Sequence, residues 1–256
     1  MPLVSGIDFT SRPSRRKPQW ASAWRVSSSR VELVELVPLP TWSDYAAWLA
    51  RPFDLIGIDH PFGLPREMQR EWGLSETWEG MRDWVTSFES AAWRQFVSAW
   101  RAGQPPGRKF RYRATDREAC SQSPLNTVNP PVGMMLRAGL PYLDRTRMVE
   151  VYPSLTARAA NVGPYKGMDP SPRQRLLASL KDHRGREIVI PPALAEVATQ
   201  DAEADALDAV IAGLTAAWAV DEPRFGLPER YDDWEGAIVD YLLSAKRSTS
   251  SAELTK

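Results

Sequence analysis

The stretch Asp54-Leu-Ile-Gly-Ile-Asp-His-Pro-Phe-Gly-Leu-Pro65 is a short apolar run that ends on a carboxylate and is followed by a proline-rich turn. Its apolar residues, 55–58, show no polar alternation, which is typical of a strand covered on both faces, as in a parallel sheet. The two prolines and the glycine after it prevent the strand from continuing. The stretch therefore predicts a buried strand with Asp59 at its carboxyl end.

The same tripeptide, Gly-Ile-Asp, ends the first apolar run of the chain, Leu3–Asp8. Side chains two residues apart in a strand share a face, so Gly6 and Gly57 are expected to leave open space beside their aspartates. A carboxylate at the end of a buried strand is costly unless something binds it. Asp8 and Asp59 are therefore either ligands or carboxylates whose burial is a costly accident.

The composition indicates a globular protein without a strong charge preference. The chain has 256 residues, 43% hydrophobic and 25% charged, with 32 basic and 32 acidic side chains, so nucleic acid could be bound only through local basic patches. The single cysteine, Cys120, fits a reducing compartment. Neither an apolar run of about 20 residues nor a signal-peptide pattern occurs. We therefore expect a cytoplasmic protein that does not bind membranes; the sequence does not indicate an oligomeric state.

The first part of the chain predicts a small mixed sheet. Strands are predicted at Trp20–Ser27 and Val31–Val37, followed by a helix at Thr41–Ala50 with Thr41 as its N-cap. Three consecutive strands favour an antiparallel meander. A strand that follows a helical crossover is expected to return parallel, beside the first.

The middle of the chain is rich in tryptophan, and Glu76–Ala102 is predicted to be helical. Trp93, Phe96 and Trp100 fall on one helix face. Packing in a core is the favoured interpretation of this face, and a platform for stacking bases is the alternative.

Residues 66–146 are therefore predicted to form a mainly helical insertion in a strand-based core made of residues 1–65 and 147–245. Residues 246–256, rich in Ser and Thr, are predicted to be disordered. The elements predicted after the insertion are a strand at Met148–Pro153 and helices at Ser171–Lys181, Ala202–Val220 and Gly236–Ser244.

The predicted helix Ala202–Val220 begins with a group of acids. At about 100° per residue, Asp201, Asp205 and Asp208 lie within roughly 60° of one another. They could form a solvated face or simply reflect the preference of acids for a helix N-terminus; alternatively, they are ligands. The acidic face continues with small residues, which suggests that something packs closely there. These residues are Ala212, Thr215, Ala216 and Ala219.

Together with the strand-end aspartates, this helix predicts a cluster of carboxylates from distant parts of the chain: Asp8, Asp59, Asp205 and Asp208. Clusters of oxygen ligands with few histidines suit Mg²⁺ or Mn²⁺ better than Zn²⁺. A pair of such ions can activate water and stabilise the leaving oxygen of a phosphodiester. Without a cation the carboxylates would repel one another.

The chain resembles the domain of unknown function 429 family, described as predicted nucleases of the RNase H-like superfamily. The resemblance covers residues 3 to about 220. The motif at 205–208 also resembles the last acidic motif of RuvC-type junction resolvases. The motifs that carry the family resemblance are Gly6-Ile7-Asp8, the stretch 57–65, Glu150-Val151-Tyr152-Pro153, Tyr165-Lys166-Gly167 and Asp205-Ala206-Leu207-Asp208-Ala209.

The resemblance implies an α/β fold of the RNase H-like type. Its five-stranded mixed sheet, flanked by helices, would have the chain order of three antiparallel strands, helix, strand, helix, strand, helix, with the helical insertion between strands 4 and 5. Asp8 and Asp59 would be the ligands from the first and fourth strands, and Asp205 and Asp208 those from the helix. Glu150 matches an acidic strand of the family and is included among the candidate catalytic residues.

Several basic residues are candidate contacts for phosphate. Lys166 is the lysine of the Tyr-Lys-Gly motif, and Arg173 follows this motif. The run 108–113, Arg-Lys-Phe-Arg-Tyr-Arg, alternates basic and aromatic residues, so Arg111 and Arg113 could contact a nucleic-acid backbone while the rings stack on bases. A solvated loop, or one packed on an acidic surface of the same chain, is an equally good interpretation of this run.

Two further features flank the strand-end aspartates. His60 could donate or accept a proton near neutral pH, although a histidine in a loop more often has no catalytic role. The basic run Arg12, Arg15, Arg16 and Lys17 follows Asp8 and could border the same site.

The sequence favours a metal-dependent nuclease that hydrolyses phosphodiesters with this carboxylate cluster. One alternative is a phosphotransferase related to actin-like kinases, since residues 6–11 faintly resemble their first phosphate loop. Such enzymes usually duplicate the domain, for which 256 residues leave little room. The other alternative is a non-catalytic binding module in which the acids are structural.

Overall fold

The computed structural model describes residues 1–180, 185–228, 231 and 233–243. The chain forms two compact units. The first contains Met1–Asp59, Arg145–Gly226 and the described residues from Val239, and the second contains His60–Asp144 and Leu227–Ile238. The insertion predicted at residues 66–146 falls largely in the second unit, which begins earlier and also takes a later segment that the prediction assigned to the core. Residues 246–256 lie outside the described part of the chain.

The first unit is built on a mixed sheet flanked by helices, which confirms the α/β class. The strands are β1 Leu3–Asp8, β2 Gln19–Val26, β3 Arg30–Leu39, β4 Leu55–Asp59, β5 Met148–Glu150 and β6 Glu187–Val189. Their order across the sheet is β5-β4-β1-β2-β3-β6. Six strands are present in the described residues, so the prediction of five, which the family resemblance implied, is wrong. The additional strand is β6, which pairs with β3 at the edge of the sheet.

The pairing of the strands follows the predicted meander and crossover. Strands β1, β2 and β3 are antiparallel neighbours, and β4 returns parallel to β1. Strand β5 is parallel to β4, and β6 to β3. The helix between β3 and β4 is held at its start by a capping box, in which Thr41 Oγ1 accepts from the Asp44 backbone N–H at 3.1 Å and the Asp44 carboxylate accepts from the Thr41 N–H at 3.1 Å.

The helices differ from the predicted ones mainly at their ends. The long helix predicted at Glu76–Ala102 is two helices, and Gly236–Asp240 is not helical, whereas Ser244 lies outside the described residues. The helices are α1 Trp42–Leu49, α2 Arg66–Glu71, α3 Trp78–Thr86, α4 Ser90–Ala102, α5 Ala114–Ala119, α6 Val132–Gly139, α7 Ser154–Ala159, α8 Ser171–Ser179, α9 Pro192–Gln200 and α10 Asp205–Ala219, with 3₁₀ turns at Leu140–Tyr142 and Pro223–Gly226.

Helix α10 is the central helix of the first unit, and all 15 of its residues are buried. It begins three residues later than predicted. Asp201 precedes it and caps its first turn, accepting from the backbone N–H of Ala206 at 2.9 Å. Because Asp205 and Asp208 are 7% and 3% exposed, the interpretation of the acids as a solvated helix face is wrong.

The small residues of α10 allow the helix to lie directly on the sheet. A Cβ atom at Gly6 would overlap the backbone of Ala209 and Gly213, and one at Gly57 would lie 2.7 Å from the Ala212 carbonyl oxygen. The expectation of open space beside the two strand glycines is therefore wrong. The glycines are required because the helix backbone fills that space.

The second unit has its own aromatic core, which confirms that the tryptophans of the middle segment serve packing. Trp93 is fully buried and donates from Nε1 to the Gly133 carbonyl at 2.8 Å. The ring of Trp72 lies edge-on to that of Phe96, with centroids 5.1 Å apart. Among the described residues of the chain, no helix is long and apolar enough to cross a membrane.

Candidate functional site

The two Gly-Ile-Asp tripeptides lie side by side in the sheet. Asp8 pairs in register with Asp59, and Gly6 with Gly57, in the parallel ladder of β1 and β4. Neighbouring strands are about 4.8 Å apart. Because paired residues point to the same face, the two carboxylates stand next to each other at the carboxyl ends of adjacent strands.

Helix α10 carries Asp205 to the level of Asp8. Ala209 contacts Gly6, and Asp205 precedes Ala209 by four residues, or about 6 Å of helix. Along β1, Asp8 follows Gly6 by two residues, or about 6.6 Å of strand, on the same face. The two distances are similar, so Asp8 and Asp205 lie at about the same distance from the contact between Gly6 and Ala209. Consistent with this, the charge of Asp205 raises the pKa of Asp8 after the larger effect of burial.

The same relation joins Asp208 to Asp59. Ala212 lies against Gly57. Asp208 is about one helical turn from Ala212, and Asp59 is two strand residues from Gly57. Burial and then the charge of Asp208 raise the pKa of Asp59 to about 8. The structure thus brings together four carboxylates that the sequence singled out.

All four carboxylates have pKa values above the usual range of an aspartate. For Asp8 the causes are burial and the charges of Asp205, Asp208 and Asp59. For Asp205 and Asp208 the cause is burial, opposed by Lys17 beside the first and Lys166 beside the second. Burial is the largest cause for each of the four, so the cluster favours binding of protons or of a cation that would neutralise its charge.

Two lysines and a tyrosine contact the helical acids. Lys166 Nζ lies 2.9 Å from an oxygen of Asp208, and Lys17 Nζ lies 3.4 Å from Asp205. The hydroxyl of Tyr165 donates to the other oxygen of Asp208 at 2.8 Å. Burial disfavours the charge of Lys166, but the carboxylates of Asp208 and Asp8 outweigh it and raise the pKa, so the ammonium stays protonated. Of the basic run after Asp8, Lys17 therefore borders the site.

Glu150 is placed differently from the four aspartates. It is buried at the end of β5 and is the register partner of Ile58. Alternation along the strands places Ile58 and Glu150 on the face opposite to Asp59. The charge of Glu150 contributes to the raised pKa of Asp59, after burial and Asp208, so it acts on the cluster from the other side of the sheet.

The oxygen ligands of the four aspartates suit the chemistry of Mg²⁺ or Mn²⁺. In the described part of the chain, however, no group of three or more acidic, histidine or cysteine side chains is placed to hold a metal ion. Both oxygens of Asp208 already have partners, Tyr165 and Lys166. A metal ion bound by Asp208 would therefore compete with Lys166 for this carboxylate.

The structure corrects the prediction that Arg173 contacts phosphate. Its side chain is 1% exposed, and its guanidinium donates to the carbonyls of Thr199 at 2.7 Å, Tyr165 at 2.9 Å and Gly167 at 2.7 Å. Arg173 holds the loop that presents Tyr165 and Lys166 to the carboxylates, and it is not accessible to a ligand.

The basic run of the second unit also packs on its own surface. Arg113 is 1% exposed and forms a two-pronged ion pair with Asp116, at 3.0 and 2.8 Å. Arg111 lies 2.6 Å from Glu67, and the ring of Phe110 is covered by Arg101, whose guanidinium is 4.1 Å from its centroid. The prediction that Arg113 contacts substrate is therefore wrong, because its side chain forms a structural ion pair. Arg111 packs on an acidic side chain of the same chain, as one of the two alternatives for this run predicted.

His60 is buried in the second unit. Its Nδ1 lies 2.9 Å from the Pro61 carbonyl oxygen, and its ring lies under Gly139. Burial lowers the pKa of His60 to about 4. The side chain is therefore neutral near pH 7, and the interpretation as a loop histidine with a packing role is favoured over that of a proton donor.

Two tyrosines near the cluster had no role in the sequence prediction. Tyr165 contacts Asp208, and the pKa of Tyr152 is raised by burial and by the charge of Asp59. Both occur in motifs of the family resemblance, Glu-Val-Tyr-Pro and Tyr-Lys-Gly. Their position beside the aspartates depends on long-range packing for which no residue spacing gives a signal.

Comparison of the chain with models of protein families, with curated proteins and with solved structures finds no match in any of the three. The site must therefore be interpreted from its own geometry and charges.

Proposed function

We propose that the protein is a metal-dependent phosphodiesterase of the RNase H-like type that acts on nucleic acid. The observation that carries the proposal is the pairing of Asp8 with Asp59 under the acidic start of α10. Carboxylates contributed by two central strands and one helix are the kind of ligand that two-metal phosphodiester hydrolysis uses. The chain order of β1 to β5 and the parallel return of β4 beside β1 support the RNase H-like assignment.

In this proposal Asp8, Asp59, Asp205 and Asp208 hold Mg²⁺ or Mn²⁺. Bound there, the ions would supply activation of the attacking water and stabilisation of the leaving oxygen. The raised pKa values of the four carboxylates mean that protons leave the cluster when a cation enters it.

The other residues of the site orient the aspartates or neutralise their charge. Tyr165 fixes one oxygen of Asp208 through its hydroxyl. The Lys166 side chain is about half exposed, so its ammonium can exchange Asp208 for a phosphate oxygen of the substrate. Arg173 holds the loop that carries both residues.

The proposal is tested by incubating purified protein with single-stranded and duplex DNA and RNA in Mg²⁺ or Mn²⁺. We expect cleavage of at least one substrate, and loss of that cleavage with a chelator or in Asp59→Asn. Asp83→Asn, at an exposed acid of the second unit, is the matched control and retains activity. Undiminished cleavage by Asp59→Asn would show that the carboxylate cluster is not the active site.

A second candidate is a non-catalytic module in which the acids are structural. It is favoured by the ion pairs of Lys166 with Asp208 and of Lys17 with Asp205, which partly neutralise the cluster without a metal. The two candidates differ in their response to Mn²⁺. A ligand that binds only the folded state raises its stability by mass action, so an unchanged melting temperature at millimolar Mn²⁺ favours the module.

A further inference from the structure

A pocket of about 480 Å³ opens beside the carboxylate cluster in the first unit. Its wall is formed by the end of β5, helix α7 and the loop that follows it. Volumes of about 300–1,000 Å³ are typical of sites for small organic ligands. The residues of its wall that matter for recognition are Tyr152, Ser154, Arg158, Asn161, Tyr165 and Lys166.

Three of these residues link the wall of the pocket to the proposed active site. Lys166 and Tyr165 both contact Asp208. Tyr152 is close enough to Asp59 for the aspartate charge to raise the pKa of its hydroxyl, after the effect of burial. A ligand in the pocket would therefore lie next to residues that contact the carboxylates.

The charge of the pocket is opposite to that of the cluster. Arg158 and Lys166 line it, whereas none of its described lining residues is acidic. The guanidinium of Arg158 lies over the ring of Tyr152, 5.4 Å from its centroid, so the ring holds the cation at the pocket wall. Arginine and lysine placed together in this way suit a phosphate group, which arginine can contact with two N–H groups.

The remainder of the wall can accommodate the organic part of a ligand. Tyr152 and Tyr165 supply ring surfaces, and Ser154 and Asn161 supply neutral hydrogen-bonding groups. The volume is that of a single small ligand, not of a duplex. A phosphate joined to a flat polar ring matches this combination of two cations, two aromatic rings and neutral polar groups.

We propose that this pocket binds one nucleotide of the substrate, with a phosphate against Arg158 and Lys166 and the nucleoside along Tyr152 and Asn161. That the bound nucleotide is part of a substrate rests on the proposed function, since the phosphate would lie next to the carboxylate cluster. Binding itself involves no metal, so it can be measured independently of cleavage.

The test is isothermal titration of the full chain with adenosine 5′-monophosphate and uridine 5′-monophosphate in the presence of a chelator. We expect binding of at least one nucleotide, weakened about tenfold or more in Arg158→Ala because a charge-assisted contact is lost. Arg158→Lys retains part of the affinity. Arg94→Ala, which removes an exposed arginine of the second unit, is the matched control and binds as the unaltered protein does.

Three further probes separate the parts of the ligand. Inorganic phosphate, ribose 5-phosphate and adenosine should each bind more weakly than the nucleotide. Equal affinity for ribose 5-phosphate and the nucleotide would overturn the contact with the base. Equal affinity of Arg158→Ala and the unaltered protein would overturn the phosphate contact. Arg158 is exposed, so its substitution is expected to leave the melting temperature unchanged, which circular dichroism checks.

Different experimental results would contradict the nucleotide subsite and the proposed hydrolytic function. If the protein cleaves nucleic acid and Arg158→Ala changes neither KM nor kcat, the pocket is not a substrate subsite although the function stands. If nucleotides bind and Arg158→Ala abolishes binding, but no metal supports cleavage, the subsite stands and the hydrolytic function fails. The expected result is a raised KM with little change in kcat.

Discussion

Asp8 and Asp59 are register partners at the carboxyl ends of two adjacent parallel strands. The glycines two residues before them, Gly6 and Gly57, are also register partners, and they let α10 lie on the strand pair. The contact that packs the helix on the sheet also positions Asp205 and Asp208 beside the aspartates of the two strands. Fold and candidate site therefore depend on one another, and a change at either glycine should affect both.

We predict that Gly6→Ala destabilises the protein by more than about 3 kcal/mol. The new methyl group would overlap the backbone of Ala209 and Gly213, and a helix backbone cannot move aside as a flexible side chain can. Thermal or urea unfolding measures the effect. Gly103→Ala is the control, since Gly103 has a φ of −78° and a Cβ there would meet its neighbours only at ordinary van der Waals distance. We expect its stability to change by no more than about 0.5 kcal/mol. Equal stability of the two variants would contradict the close approach of α10.

The doubled Gly-Ile-Asp motif was sufficient to predict the central strands and their aspartates. Apolar runs without alternation, ended by proline and glycine, indicate buried strands, and the strand order indicates which two return parallel. The acids of α10 were also found, because helical spacing places Asp205 and Asp208 on one face. Local signals of this kind are present in the sequence itself.

The partners of buried charges could not be predicted in the same way. Arg173 and Arg113 look like surface arginines in the sequence, but each is 1% exposed and holds backbone or carboxylate oxygens. Their roles follow from burial, which depends on how distant segments pack. The same is true of Tyr165 and of Lys166, whose contact with Asp208 joins residues about 40 positions apart.

We predict that Asp59→Asn stabilises the metal-free protein at pH 8 and not at pH 4. Burial raises the pKa of Asp59 to about 8, whereas an unfolded aspartate has a pKa of about 3.9. Between these values the folded state binds a proton that the unfolded state has lost, so this carboxyl lowers the free energy of unfolding as pH rises from about 4 to about 8. An asparagine has no such dependence.

The measurement is the free energy of unfolding in urea with a chelator, at several pH values. The difference between Asp59→Asn and the unaltered protein should be near zero at pH 4 and grow to about 1–3 kcal/mol at pH 8. Asp83→Asn, at an exposed acid, should show no such trend. A difference that is constant with pH would mean that the pKa of Asp59 is not raised in the folded protein.

We predict that Lys166→Met tightens Mn²⁺ binding several-fold and weakens cleavage. The ammonium lies 2.9 Å from Asp208 and competes with any cation that approaches this carboxylate. Its removal leaves the acids more open to a metal but removes the proposed contact to substrate phosphate. Titration with Mn²⁺ and a cleavage assay measure the two effects. Lys109→Met, at an exposed lysine of the second unit, should change neither.

The opposite result for Mn²⁺ is also informative. If Lys166→Met binds Mn²⁺ no better than the unaltered protein, the lysine does not compete with a metal for Asp208. If it also destabilises the protein at neutral pH, the result favours the structural role of the ion pair, since it leaves the carboxylates without their nearest cation.

We predict that Arg173→Met lowers the stability of the protein by about 3–5 kcal/mol. The substitution removes a buried cation and leaves the carbonyls of Thr199, Tyr165 and Gly167 without their donor. The loop that carries Lys166 then loses its attachment to α8, so the affinity for nucleotides falls as well. Arg175→Met, at an exposed position on the same helix, is the matched control, expected to lie within about 0.5 kcal/mol of the unaltered protein.

The same pair of variants distinguishes the buried role of Arg173 from a direct contact with phosphate. A phosphate contact at the surface would give weaker nucleotide binding with unchanged stability, and a slope of affinity against salt concentration that is smaller than that of the unaltered protein. A buried arginine that holds three carbonyls gives weaker binding together with a large loss of stability, and the binding recovers when the folded state is restored by a stabilising osmolyte. Measuring stability and nucleotide affinity on the same sample, with and without the osmolyte, therefore decides between the two roles.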